Sequence, residues 1–185
     1  MRRIITFCSL VCLAGTVHGG EVTVKGVHLC CGSCLSAAKD AFDDVRGVSK
    51  VSCDLNTKIV KFSAVDEKTA KLGIKALAAE GFFGTAIHDK KKLAFPDAGA
   101  KKGQKLDSFV LKGVHLCCGS CVTGSQKSLQ KVPGVKVIDI DRKKKTIKLT
   151  GSSIDVKAAI AALNKAGFYG KLDARVAKKK PAPAK

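Results

Sequence analysis

The chain has 185 residues, of which 45% are apolar and 5% aromatic, with no Trp and a formal net charge of +19. That length admits one or two ordinary domains, and the apolar content excludes a disordered chain. The basic excess lacks the interleaved aromatics on which single-stranded nucleic acids stack, so no specific nucleic-acid role is expected; runs such as Lys90–Lys92, Arg142–Lys145 and Lys178–Lys180 are solvated edges that attract acidic partners.

In chain order, Arg2 and Arg3, the apolar run Ile4–Leu13 and the small-residue stretch Ala14–Gly20 have the pattern of an export signal over 1–20. The apolar run is about half of the roughly 20 residues that span a bilayer. Cleavage that leaves no membrane span is therefore expected, as is a periplasmic or extracellular location. Cys8 and Cys12 go with this segment.

Glu21–Val27 is Val-rich and partly alternating, the pattern of a strand, and runs into Lys25-Gly26-Val27-His28-Leu29-Cys30-Cys31-Gly32-Ser33-Cys34. The latter segment returns letter for letter as Lys112–Cys121, so the chain carries two copies of one cysteine-bearing module. A helix follows each copy, with Leu35, Ala38, Phe42 and Val45 on one face in the first and Val122, Ser125, Leu129 and Val132 in the second. Gly47 and Pro133-Gly134 end these helices.

Val48–Leu55 and Ile59–Ser63 form a hairpin pattern around Asn56-Thr57-Lys58, and Val135–Asp141 with Thr146–Thr150 form its counterpart. Second helices are predicted over Asp66–Glu80, facing inward through Ala70, Ile74 and Leu77, and over Asp155–Ala166, through Val156, Ile160 and Leu163. Gly81 and Gly167 stand where a left-handed residue closes a helix, and a last strand follows Phe82-Phe83-Gly84 or Phe168-Tyr169-Gly170. Each module thus has the order β-α-β-β-α-β, giving an α+β protein of two tandem ferredoxin-like domains at 21–88 and 107–175. The Lys-, Gly- and Ala-rich stretch 89–106 is expected as a linker and 176–185 as a basic disordered tail.

Beyond the export segment the cysteines are Cys30, Cys31, Cys34, Cys53, Cys117, Cys118 and Cys121, an odd number that cannot all pair within the chain. An oxidising compartment favours disulfides. Adjacent Cα atoms, however, stand about 3.8 Å apart, whereas a disulfide prefers roughly 4.4 to 6.8 Å, so Cys30 and Cys31 are a poor pair. Cys34 and Cys121 fall in the first turn of a helix, where free N–H groups and the positive dipole end favour a thiolate. Two thiolates converging from a loop and a helix start suit a soft ion such as Cu(I). Cys30 and Cys117 add a third sulfur to each site and keep Zn(II), Hg(II) and a Cu(I) cluster open. Cys53 shares a face with Val51 and Leu55 and is expected in the core, while His28 and His115 adjoin the loops with ligation or an ordinary polar role both open.

A module of this order with Cys-x-x-Cys between its first strand and first helix resembles the heavy-metal-associated domain of copper chaperones, metal-transporting P-type ATPases and periplasmic mercury-binding proteins. The resemblance covers both modules. It aligns Cys31 and Cys34, and Cys118 and Cys121, with the family's metal-binding pair, and Phe82 and Phe168 with an aromatic beside the metal loop. It implies an exported carrier or scavenger of a heavy-metal ion, most readily Cu(I), without catalysis, that exchanges its ion with an acidic metal-donating or metal-receiving protein. Val27 and Val114 replace the family's usual Met, the loop is longer, and Cys30 and Cys117 are additional. Two other functions fit the same residues: a thiol–disulfide oxidoreductase using the cysteine pairs, and a basic polyanion-binding module with structural cysteines.

Overall fold

The computed structural model describes residues 19–177. The expected export segment lies outside them as far as residue 18, as does the basic tail from residue 178. The first module runs β1 (Gly20–Lys25), α1 (Gly32–Asp40), β2 (Val48–Asp54), β3 (Ile59–Ala64), α2 (Glu67–Ala79) and β4 (Thr85–His88), with a further strand β5 (Lys91–Leu93). The second runs β6 (Lys105–Lys112), α3 (Gly119–Leu129), β7 (Val135–Asp141), β8 (Thr146–Asp155), α4 (Val156–Lys165) and β9 (Lys171–Leu172), and closes on one helical turn, α5 (Ala174–Ala177). The sheets are ordered β2-β3-β1-β4-β5 and β7-β8-β6-β9 and are antiparallel throughout. These are two tandem ferredoxin-like βαββαβ domains. None of the helices among the described residues is long and apolar enough to cross a membrane.

Alternation places Val22 and Val24 of β1 in the core, while Glu21 and Lys25 face out. Phe62, Leu29, Ile74 and Leu77 fill the first core; Phe109, Leu111, Ile147 and Leu149 fill the second. Phe42, just beyond α1, packs on Phe62 with ring centroids 4.7 Å apart. Gly73 of α2 makes room for this pair, since a Cβ there would stand 2.7 Å from the Phe62 ring.

Asp66 and Asp155 cap α2 and α4, their carboxylates accepting from the amides of Thr69 at 2.6 Å and Ala158 at 2.9 Å. Each satisfies an amide that the helix start leaves without an intrahelical partner. Asp66→Ala and Asp155→Ala are each expected to destabilise the fold, read as a lowered midpoint in urea with the slope unchanged.

Three details depart from the expectations. Lys91–Leu93 add a fifth strand inside the stretch expected as a linker, pairing with β4 from Ala86 to His88. Phe95 still packs on Phe83 of the first module, and beyond it the stretch meets the second: Ala98 accepts from the Leu172 amide at 2.8 Å and Asp97 from the Tyr169 hydroxyl at 3.2 Å. Strand β8 continues beyond Thr150, because Lys105 and Leu106 pair with Asp155 and Ile154 after a register shift. Cys53 is half-buried, since β2 is an edge strand and meets the core only at its margin.

The modules are joined across a pseudo-two-fold axis. Phe82 and Phe168 form an antiparallel bridge. Around it the Tyr169 amide donates to Gly81 at 2.8 Å, and the Phe83 and His28 amides donate to Gly167 at 3.0 and 3.2 Å. Lys145 of one module forms an ion pair with Glu80 of the other at 3.3 Å.

Candidate metal centre

This junction brings the two cysteine loops face to face. Val27 and Leu29, and Val114 and Leu116, are buried and anchor the loops in their own cores. Lys58 donates through Nζ to the Leu29 carbonyl. In the second module Arg142 does the same work, donating from Nε to Leu116 at 3.4 Å and from Nη2 to Cys117 at 2.5 Å. Cys31 and Cys118 occupy the N-cap positions of α1 and α3 in extended backbone, without a side-chain cap. Cys34 and Cys121 follow in the first turn, fully buried.

All six predicted site cysteines meet in one cluster, and all six are free thiols. Within each loop, Cys34 Sγ lies 3.5 Å from Cys30 and 3.6 Å from Cys31, and Cys121 Sγ lies 3.6 Å from both Cys117 and Cys118. The contacts between modules are as short. Cys30 stands 3.4 Å from Cys118 and 3.6 Å from Cys121; Cys117 stands 3.4 Å from Cys34 and 3.9 Å from Cys31; Cys34 and Cys121 are 3.9 Å apart. The sequence left open whether the two loops act separately or share an ion, and in the structure they form a single sulfur surface. Cys53 lies on β2, apart from it.

So many thiols at this spacing cannot all ionise, because neighbouring thiolates repel and burial penalises charge. Burial and hydrogen bonding to the surrounding thiols hold Cys30 and Cys117 far above the ordinary thiol range. Burial also opposes ionisation of Cys34 and Cys118, but hydrogen bonds from backbone and neighbouring thiols outweigh it; Cys34 is lowered and Cys118 falls to about 6. Cys121 is pushed up to about 11 by burial and by the charge of Cys34. Thiols held protonated by burial, Cys30 and Cys117, thus stand beside thiols whose ionisation is favoured, Cys34 and Cys118. A bound cation would remove the repulsion that keeps the rest protonated.

The two histidines were an unsettled part of the sequence. His115 is 3% exposed and His28 half-buried, and the Nε2 of each is buried without a hydrogen-bond partner. Each ring stacks on the opposite module's phenylalanine, His28 on Phe168 and Phe82 on His115, both with centroids 4.1 Å apart. Burial lowers both histidines, His28 to about 4, so they are neutral and have a lone pair to offer. A ring nitrogen of His115 and the sulfurs of Cys34, Cys117 and Cys121 all lie within 4.8 Å of one another, as do those of His28, Cys30 and Cys121. A cleft of about 670 Å³, lined by Glu80, His115, Cys117, Arg142, Lys143 and Lys145 among others, gives access from one side.

Sequence reasoning missed the inter-module stacks and the roles of Lys58 and Arg142. One signal was present: the two loops match letter for letter although the helices behind them do not. Residues on either side of a two-fold axis meet the same surroundings, and a loop that packs against its own copy is held to one sequence.

Fold and site together define a tandem ferredoxin-like protein with a six-cysteine cluster between its domains, arranged as candidate metal ligands. No protein-family model matches the chain, and no curated protein matches it. Among solved structures, the N-terminal domain of PacS from Synechocystis PCC6803 is similar at 17% identity and a TM-score of 0.32, covering 36% of this chain and 97% of that one. Oxidized MerP from Ralstonia metallidurans CH34 is similar at 20% identity and a TM-score of 0.34, with 37% and 97% covered. The N-terminal soluble domains of Bacillus subtilis CopA span both modules, at 18% identity and a TM-score of 0.31, with 85% and 95% covered.

Proposed function

We propose that this protein is an exported, non-catalytic carrier or scavenger of a soft heavy-metal ion, Cu(I) before others, of the heavy-metal-associated class. The observation that carries this reading is the convergence of six free thiols at 3.4 to 3.9 Å. A metal–thiolate bond of about 2.3 Å puts sulfurs that share one ion roughly 3.8 to 4.0 Å apart, so the cluster needs little expansion to take one. Soft sulfur donors select soft ions, and among the described residues no carboxylate belongs to the sulfur groupings. The basic residues Arg142, Lys143 and Lys145 along the cleft suit an acidic protein that delivers or receives the ion. The signal pattern at 1–20 supports export.

A second reading has its own observation: Cys34, Cys117, Cys121 and His115 supply the three sulfurs and one nitrogen of a closed Zn(II) site. The test is competition under anaerobic, reducing conditions among Cu(I), Zn(II) and Hg(II), followed by metal analysis of the desalted protein. The expected outcome is that Cu(I) is retained against a Cu(I) chelator and displaces Zn(II). Retention of Zn(II) against excess Cu(I) would establish the second reading. Loss of every ion from the fully reduced protein would overturn both.

A further inference from the structure

The nine sulfur–sulfur contacts close into triangles. Four three-sulfur faces have every edge at 3.9 Å or less: Cys31–Cys34–Cys117, Cys34–Cys117–Cys121, Cys30–Cys34–Cys121 and Cys30–Cys118–Cys121. They form a continuous strip, each sharing an edge with the next, and the pseudo-two-fold axis exchanges the outer pair and the inner pair. Cys34 and Cys121 each belong to three faces, Cys30 and Cys117 to two, and Cys31 and Cys118 to one. By contrast, no set of four sulfurs has all its edges among these contacts, so sulfur by itself offers three-coordinate faces, and a fourth ligand would have to come from a histidine.

We propose that the chain binds Cu(I) as one polynuclear cluster of about four ions, one on each three-sulfur face, bridged by Cys30, Cys34, Cys117 and Cys121. This rests on the soft-metal reading above. It gives Cys30 and Cys117 a definite role, since each supplies a sulfur that crosses to the other module's faces. Copper enters as Cu(I) and stays Cu(I): copper–sulfur bonds form, each thiol still protonated releases its proton to solvent, and no electron is transferred. Six thiolates and four monovalent ions leave a charge of about two negatives, and Lys58 and Arg142 hold positive charge against the same loops. Divalent ions on faces that share edges would repel one another more strongly, which favours a monovalent guest. Because each bridging sulfur serves several ions, the first ion orders the donors of the next, and loading is cooperative.

The experiment is anaerobic titration of the reduced full chain with Cu(I), read by native mass spectrometry, with X-ray absorption on the loaded protein. The expected spectra show apo and about four-copper species together in mid-titration with little between them, and a copper–copper scattering path. Cys31→Ser removes one face and Cys30→Ser two, so their loaded forms are expected to hold about three and about two ions. Independent filling to two ions per chain, with single- and double-copper species in statistical proportion and no copper–copper path, would overturn the cluster while leaving the soft-metal reading intact. Variants that both retain the full complement would overturn it too. Failure to hold any Cu(I) would remove the underlying reading as well.

Discussion

Replacing Cys34 and Cys121 together by serine is expected to reduce the affinity for soft metal by more than about a hundredfold, since loss of groups that merely orient a ligand already costs about 10- to 100-fold. The two residues sit at the centre of the sulfur surface. Without them the remaining short contacts are the pairs Cys30–Cys118 and Cys31–Cys117; no three-sulfur face with edges of 3.9 Å or less survives, and the one remaining sulfur trio, Cys30, Cys31 and Cys118, is looser, within 4.8 Å. Serine is close to cysteine in size and both positions are fully buried, so the circular dichroism spectrum should remain that of the parent while chelator competition shows the loss. The control is Cys53→Ser, which changes a thiol on β2 apart from the cluster and should leave affinity as it was. Parent-like affinity in the double variant would mean that the cluster is not the binding site.

The second large effect is expected from Gly81→Ala combined with Gly167→Ala. Both glycines end helices with positive φ, 83° and 86°, where any side chain costs about 1 to 2 kcal/mol. Sterics add more. A Cβ at Gly81 would run into the His115 amide and stand 2.5 Å from the Gly113 oxygen; one at Gly167 would run into the His28 amide and stand 2.6 Å from the Gly26 oxygen. In each case the obstacle is the opposite module's backbone, which has no rotamer with which to yield. The two alanines are expected to separate the modules, seen as an increased maximum dimension in small-angle scattering, and to lower the number of copper ions held per chain. Gly26→Ala with Gly113→Ala is the matched control: φ is 77° and 71°, so the backbone strain is similar, but nothing lies within 4 Å of the added Cβ. That control should lose some stability and keep its dimensions. Equal dimensions for both variants would sink the proposed dependence of the junction on close glycine contact.

The order of elements was legible because its signals are local. Val22 and Val24 alternate, Ala70, Ile74 and Leu77 recur at helical spacing, and Gly81 and Gly167 close their helices, all without reference to distant parts of the chain. Strand β5 was not legible, since Lys91 and Lys92 have no strand signature and Leu93 is paired only because β4 offers a free edge. The extension of β8 through Gly151, Ser152 and Ser153 was hidden for the opposite reason: those residues spell a turn, and tertiary pairing of β6 with Ile154 and Asp155 overrides it. At the site, the chemistry could be read from residue types and the geometry could not. That the Cys30 and Cys117 sulfurs reach those of the other module depends on the shapes of two finished domains and on the glycines where they touch, and no periodicity records such a fit.

The stretch from Asp97 to Gln104, which meets the second module, has a consequence for dilute solution. Because it ties the two halves covalently, the meeting of their loops is a first-order event governed by an effective local concentration, which for short flexible tethers is on the order of millimolar. A site assembled from two separate chains would fall apart as the protein is diluted, and its six sulfurs would be lost as a set. Here they remain together at any concentration, so the completeness of the six-sulfur set does not depend on how many molecules are present.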